Sequence, residues 1–110
     1  MLTIVQGEDR LITVRLEDEN QDAINLSPFD EITASFKRAD NTVMEKKLSL
    51  AEIVIPGAAP QNGKIQIILT DTDTAALKAA KIDFELILDD GTERKIIQFP
   101  GQIEVKKRLT

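Results

Sequence analysis

The chain contains no cysteine, histidine, tryptophan or tyrosine, and its only aromatic residues are Phe29, Phe36, Phe84 and Phe99. Each absence removes a chemistry. Without Cys there is no disulfide framework, no thiolate nucleophile, no thiolate-held zinc and no iron–sulfur cluster. Without His the usual general base near neutral pH and the commonest transition-metal ligand are gone, so catalysis would fall to carboxylates, Lys, Ser or Thr. The composition therefore points away from an enzyme and implies no cofactor and no metal. Basic charge is also short: fourteen Lys and Arg against nineteen Asp and Glu leave a net charge of −5. That sign opposes phosphate backbones and anionic headgroups, so neither a nucleic-acid nor a membrane partner is expected. The one basic cluster, Lys106, Lys107 and Arg108, reads as a solvated strand end. Met1 to Asp9 has no basic segment followed by a long apolar run, so no signal peptide is expected and synthesis is placed in a cytoplasm.

What is present suits one folded unit. At 110 residues, with 42% hydrophobic and 30% charged residues, the chain reads as a single domain over 1–110. Its hydrophobic spacing is mostly period two. Ile12, Val14 and Leu16 share a face in Arg10 to Leu16; Ile32, Ala34 and Phe36 do so in Glu31 to Lys37. Lys64 to Leu69 sets Ile65, Ile67 and Leu69 against Ile68, and Lys81 to Leu88 sets Ile82, Phe84, Leu86 and Leu88 against Ile87. Further strands are expected at Leu2 to Gln6, Thr42 to Leu48, Glu93 to Phe99 and Gln102 to Lys106.

Turn chemistry separates these strands. Asp89-Asp90-Gly91 predicts a tight hairpin joining Lys81–Leu88 to Glu93–Phe99, and Asp40-Asn41 predicts a turn into Thr42–Leu48. Pro56 to Pro60, followed by Asn62-Gly63, reads as a connection crossing from one sheet to another. Thr70 to Ala80 opens with capping side chains and early acids and runs on into Ala and Lys, which predicts a helix of two to three turns. Leu77 would pack on the sandwich edge. Seven to eight short strands with one crossing helix predict an all-β, antiparallel, immunoglobulin-like sandwich. In it Phe36 and Phe84 belong to the core, and Phe29 and Phe99, beside Pro28 and Pro100, stand nearer its ends.

Potential sites have local explanations. Asp18, Asn20 and Asp22 have the alternate spacing of a calcium loop, yet Ala23 stands where the turn needs Gly and Phe29 where the bidentate Glu belongs. A solvated hairpin turn is the better reading. The pairs Asp71/Asp73 and Asp89/Asp90 would suit a glycosidase, but one sits in a helix's first turn and the other in a hairpin turn. Gly57 and Gly63 form no phosphate-binding loop. Ser27, Ser35 and Ser49 have no activating partner in a recognised arrangement.

The order of these features resembles the N-terminal domain of baseplate upper proteins and related tail proteins of tailed bacteriophages. The resembling segments are Ile4-Val5-Gln6-Gly7-Glu8-Asp9 before the first long strand and the acidic turn Asp18-Glu19-Asn20. Next come the bend Ile24-Asn25-Leu26-Ser27 and the run Gly63 to Thr70, leading into Asp71 to Leu77. Ile82-Asp83-Phe84-Glu85-Leu86, Asp90-Gly91-Thr92 and Gly101-Gln102-Ile103-Glu104-Val105 follow in the same order. The resemblance implies a non-catalytic structural or assembly protein of a phage or prophage tail, placed in the virion and docking to other tail or baseplate proteins, as a small stand-alone or accessory component. Candidate contact residues are Ile68, Ile87 and Ile96, which fall in the wrong phase for a single-faced core; cover by the Val43–Ile55 connection or by strand curvature would also account for them. Pairing of edge strands between copies would give a homo-oligomer. The alternative is a stand-alone sugar- or peptide-binding module that uses the loops at one end of the sandwich.

Overall fold

The computed structural model describes every residue except Met1, Glu19, Ala39, Asp40, Lys78, Ala79 and residues 107–110. Its strands are β1 (Leu2–Val5), β2 (Arg10–Arg15), β3 (Glu31–Arg38), β4 (Asn41–Lys47), β5 (Ile53–Val54), β6 (Lys64–Leu69), β7 (Ala80–Asp89) and β8 (Arg94–Lys106), with one helix, α1 (Asp71–Ala76). They form a five-stranded sheet, β1-β8-β7-β3-β4, and a three-stranded sheet, β2-β6-β5. The two sheets make an all-β, immunoglobulin-like sandwich.

The period-two pattern explains the layering, because alternate side chains of a strand leave opposite faces. Ile12, Leu16, Ile53, Ile65, Ile67 and Leu69 from the smaller sheet and its flanks meet Ile32, Ala34, Phe36, Phe84, Leu86 and Leu88 from the larger one, all at most 4% exposed. Ile4, Ile103 and Val105 extend this core under β1 and β8. Phe36 and Phe84 stand opposite each other on β3 and β7, with ring centroids 5.3 Å apart and planes tilted by 34°. Phe29 is half-buried. The Phe99 side chain lies outside the described residues.

Several expectations need correction. The sandwich is not wholly antiparallel, since β1 pairs with β8 in parallel, Leu2 opposite Ile103 and Val5 opposite Lys106. Glu93–Phe99 and Gln102–Lys106 are one strand rather than two: β8 runs through Pro100-Gly101, and a register shift opposite Asp83 absorbs the extra residues as a bulge. The segment from Pro56 to Gly63 does not change sheets; it joins β5 to β6, which are neighbours in the three-stranded sheet. The chain changes sheets earlier, in a 3-10 turn at Leu48–Leu50 that ends on left-handed Ala51. The hairpin after β7 is looser than a two-residue turn. Asp89 and Arg94 are its last ladder pair, and positive φ is found at Gly91 and not at Asp90. Asp40 and the basic residues Lys107 and Arg108 lie outside the described residues, while Asn41 already belongs to β4.

The helix is six residues long, under two turns, although its start is well made. Thr70 Oγ1 accepts from the Asp73 amide and Asp73 Oδ2 accepts from the Thr70 amide, a reciprocal capping box. Its end is set by tertiary packing. Leu77 adopts extended geometry and sinks into the core at 3% exposure, and Gln6 Nε2 donates to its carbonyl. Thr74, fully buried, donates through Oγ1 to the Glu8 carbonyl at 2.7 Å. The helix thus crosses from β6 to β7 as the spacing predicts, anchored to the β1–β2 connection.

Gly63 is required by a close approach. Its φ is +66°, and a Cβ there would stand 2.6 Å from the Leu16 carbonyl oxygen. The Leu16 amide in turn donates to the Gly63 carbonyl at 2.7 Å, which closes the end of the β2–β6 ladder.

Candidate functional site

The outer face of the five-stranded sheet is built from the phase opposite to the core. On central β3 that phase carries Thr33 and Ser35, which are themselves 8% and 3% exposed because strands flank them on both sides. Thr33 stands opposite Ile87 on β7, and Ile87 stands opposite Ile96 on β8. The result is a row crossing three strands that is apolar on β7 and β8. Ile87 is half-buried by its neighbours, whereas Ile96 is 56% exposed. Charged rows bound it on both sides: Asp89 and Arg94, 3.8 Å apart, on the hairpin side, and Lys37 with Glu85, 3.0 Å apart, on the other. An apolar centre with a charged rim is the anatomy of a protein-contact patch.

Ile68 is elsewhere. It lies on β6 opposite Leu11 of β2, on the outer face of the three-stranded sheet, where the two are 38% and 50% exposed. Of the three contact residues expected from phase, the fold therefore joins Ile87 to Ile96 and sends Ile68 to the opposite side of the sandwich. The Val43–Ile55 connection carries β4 and β5, an edge strand of each sheet, and Ile87 itself is flanked by Thr33 and Ile96.

The sequence reading missed Lys46. It stands opposite Ala34 on edge strand β4 and is 7% exposed, with Nζ 2.7 Å from Asp73 Oδ2 and 3.3 Å from Glu52 Oε2. Burial opposes the Lys46 charge, but hydrogen bonds to the two carboxylates outweigh it and hold the ammonium above its ordinary pKa. Burial likewise opposes ionisation of Asp73; hydrogen bonds from Lys46 and from the Thr70 amide and hydroxyl outweigh it and keep that carboxyl below its ordinary value. The alternation of Met44, Lys46 and Leu48 was the available signal, a charge in an apolar phase. The network ties β4, the β4–β5 connection and α1 together, which is a structural role.

The other candidate carboxylates are engaged with backbone. Asp18 Oδ1 accepts from the amides of Asn20 and Asp22, shaping the acidic turn. Asp71 Oδ1 accepts from the Thr72 amide, and Asp89 Oδ1 from Gly91. Asp90 Oδ1 accepts from the amides of Glu93 and Thr92, which hold its carboxyl below the ordinary range. Glu31 Oε1 accepts from the Ser49 and Ile32 amides; burial opposes its ionisation, and these bonds together with the Ser49 side chain outweigh it and lower its pKa. Among the described residues, no three acidic side chains come close enough together to hold a metal ion. The depression between Phe29 and Asp90, Glu93, Arg94 and Lys95, at the loop end of the sandwich, is open to solvent and lined mainly by charge.

No helix among the described residues is long and apolar enough to cross a membrane. Fold and surface together define an immunoglobulin-like sandwich with an apolar row on its larger sheet. No family model matches the chain, and no curated protein sequence matches it.

Proposed function

We propose that the protein is a non-catalytic structural or assembly component of a phage or prophage tail, associated with the baseplate, and that it acts by docking to other tail proteins. The observation that carries the docking reading is the Ile87–Ile96 row. A branched apolar pair, Ile87 half-buried and Ile96 exposed, stands between charged rows on a sheet whose other face is already committed to the core. The shared order of motifs with baseplate upper proteins supplies the tail setting. In this reading the chain is made in a bacterial cytoplasm and resides in the virion, and its partners are proteins rather than nucleic acid or lipid.

The experiment is induction of a prophage that carries the protein, followed by separation of tail particles from soluble protein. The chain is expected in the particle fraction, and Ile87→Asp, folded by circular dichroism, in the soluble one. Recovery of the unaltered chain wholly in the soluble fraction would overturn the reading.

A further inference from the structure

We propose that the free edge of β2 pairs with the same edge of a second copy, making an antiparallel dimer with Ile12 on its two-fold axis. This goes beyond the tail reading and holds for the isolated protein.

β2 is an edge strand whose described neighbour is β6 on one side. Hydrogen-bonded positions of an antiparallel ladder alternate. The Leu16 amide bonds to Gly63, so Val14, Ile12 and Arg10 share its phase toward β6, and Leu11, Thr13 and Arg15 direct their backbone groups outward. All three of these residues are exposed. In immunoglobulin sandwiches the corresponding sheet has a fourth strand; here the strand before β2, β1, is spent on β8 instead.

The remaining edges are blunted and this one is not. β4 carries an inward lysine, Lys46, and a register shift at its pairing with Phe36 and Lys37; β5 has two residues and β1 four. Inward charge, bulges and short length are the ordinary protections of an edge. β2 has six residues, no proline and no bulge against β6.

The sequence of β2 also selects a register. Outward-directed backbone groups must meet, so Leu11 faces Leu11, Thr13 or Arg15 of the other copy, and the first of these sets Asp9 against Thr13 and leaves Arg15 opposite Gly7, with no opposing carboxylate. Facing Thr13 sets Ile12 against Ile12, extends the core across the axis, and places Asp9 opposite Arg15 at both ends of the ladder. Facing Arg15 instead replaces that contact with Asp9 against Glu17, a like-charge pair. In the favoured register the Leu11–Ile68 pairs of the two copies lie diagonally across the axis on one face of a six-stranded sheet. So short a ladder belongs to the weak class of interfaces, and a concentration-dependent equilibrium follows.

Sedimentation equilibrium of the full chain tests this. A monomer–dimer equilibrium is expected. Thr13→Pro, which removes an amide that β6 does not use, should leave a folded monomer; a folded Thr13→Pro that still dimerises overturns the proposal, as does a wild-type chain that stays monomeric up to its solubility limit. Should Thr13→Pro fail to fold, Arg15→Asp decides through charge, with dimerisation at least tenfold weaker and no such change overturning the register. Because the chain lacks cysteine, mixing Leu11→Cys and Thr13→Cys chains in a redox buffer gives an independent reading. Directly opposed hydrogen-bonded residues lie about 5.5 Å apart at Cα, within disulfide reach, so a mixed disulfide should form, and its absence counts against the pairing.

Discussion

Lys46 on β4 and Asp73 in the first turn of α1 share a bond of 2.7 Å that joins the edge of one sheet to the crossing helix. Lys46→Met leaves the Asp73 and Glu52 carboxylates facing an apolar chain. The expected loss is about 2 kcal/mol of unfolding free energy, read from urea denaturation. Asp73→Asn should cost less, about 1 kcal/mol, because the amide oxygen still accepts from Thr70.

Acid should weaken the fold through the same residues. Asp73 and Glu31 lie below their ordinary values of 3.8 and 4.5 in the folded chain. A carboxyl lowered by folding contributes stability that is complete above its unfolded value and is lost as pH falls through the folded one. Lys46, raised above 10.5, contributes fully below that value and loses its share only in strong alkali. Denaturation midpoints should therefore fall as pH drops below about 4. Glu31→Gln and Asp73→Asn should each show a shallower acid decline than the unaltered chain, and identical slopes would contradict the assignment.

Gly63→Ala should be among the most damaging single-methyl changes in the molecule. The added carbon meets the Leu16 carbonyl at 2.6 Å and the Ile24 backbone at 3.1 Å, and backbone cannot swing aside as a side chain can. Together with the left-handed φ this predicts a loss of about 3 kcal/mol, visible as a lowered melting temperature. Gly57→Ala, where the same atom meets nothing within 4 Å, supplies the control: its cost should be confined to the strain of its φ, about 1 kcal/mol.

The outer face should tolerate charge. Ile96→Lys, at a position 56% exposed, is expected to change stability by less than about 0.5 kcal/mol. Ile87→Glu, half-buried, should cost about 1 kcal/mol alone and recover part of that when combined with Ile96→Lys, since the two side chains stand directly opposite. Loss of tail association without loss of fold in these variants would separate contact from core.

The strands were readable because alternation is local: each of Arg10–Leu16, Glu31–Lys37, Lys64–Leu69 and Lys81–Leu88 carries its own inward phase. The Ile87–Ile96 pair was half readable, since both residues stand out of phase, but their register depends on how tightly the turn after Asp89 closes. Ile68 looked equivalent to them in one dimension. Only the sheet that β6 joins separates it, and pairing between Lys64–Leu69 and Arg10–Arg15 is a long-range event that leaves no local mark. Lys46 was missed: a charge in an apolar phase was its only local mark, and its nearer partner in space, Asp73, lies 27 residues away. At Pro100-Gly101 local chemistry misled, because both residues usually end strands, whereas a bulge lets β8 pass through them.

The parallel ladder between β1 and β8 also determines how the molecule bears load. Leu2 lies at the beginning of one strand and Lys106 at the end of the other, so opposite forces applied there run along the strand axes. Such a pull strains the inter-strand bonds from Leu2–Ile103 to Val5–Lys106 together, in shear, instead of opening them one after another.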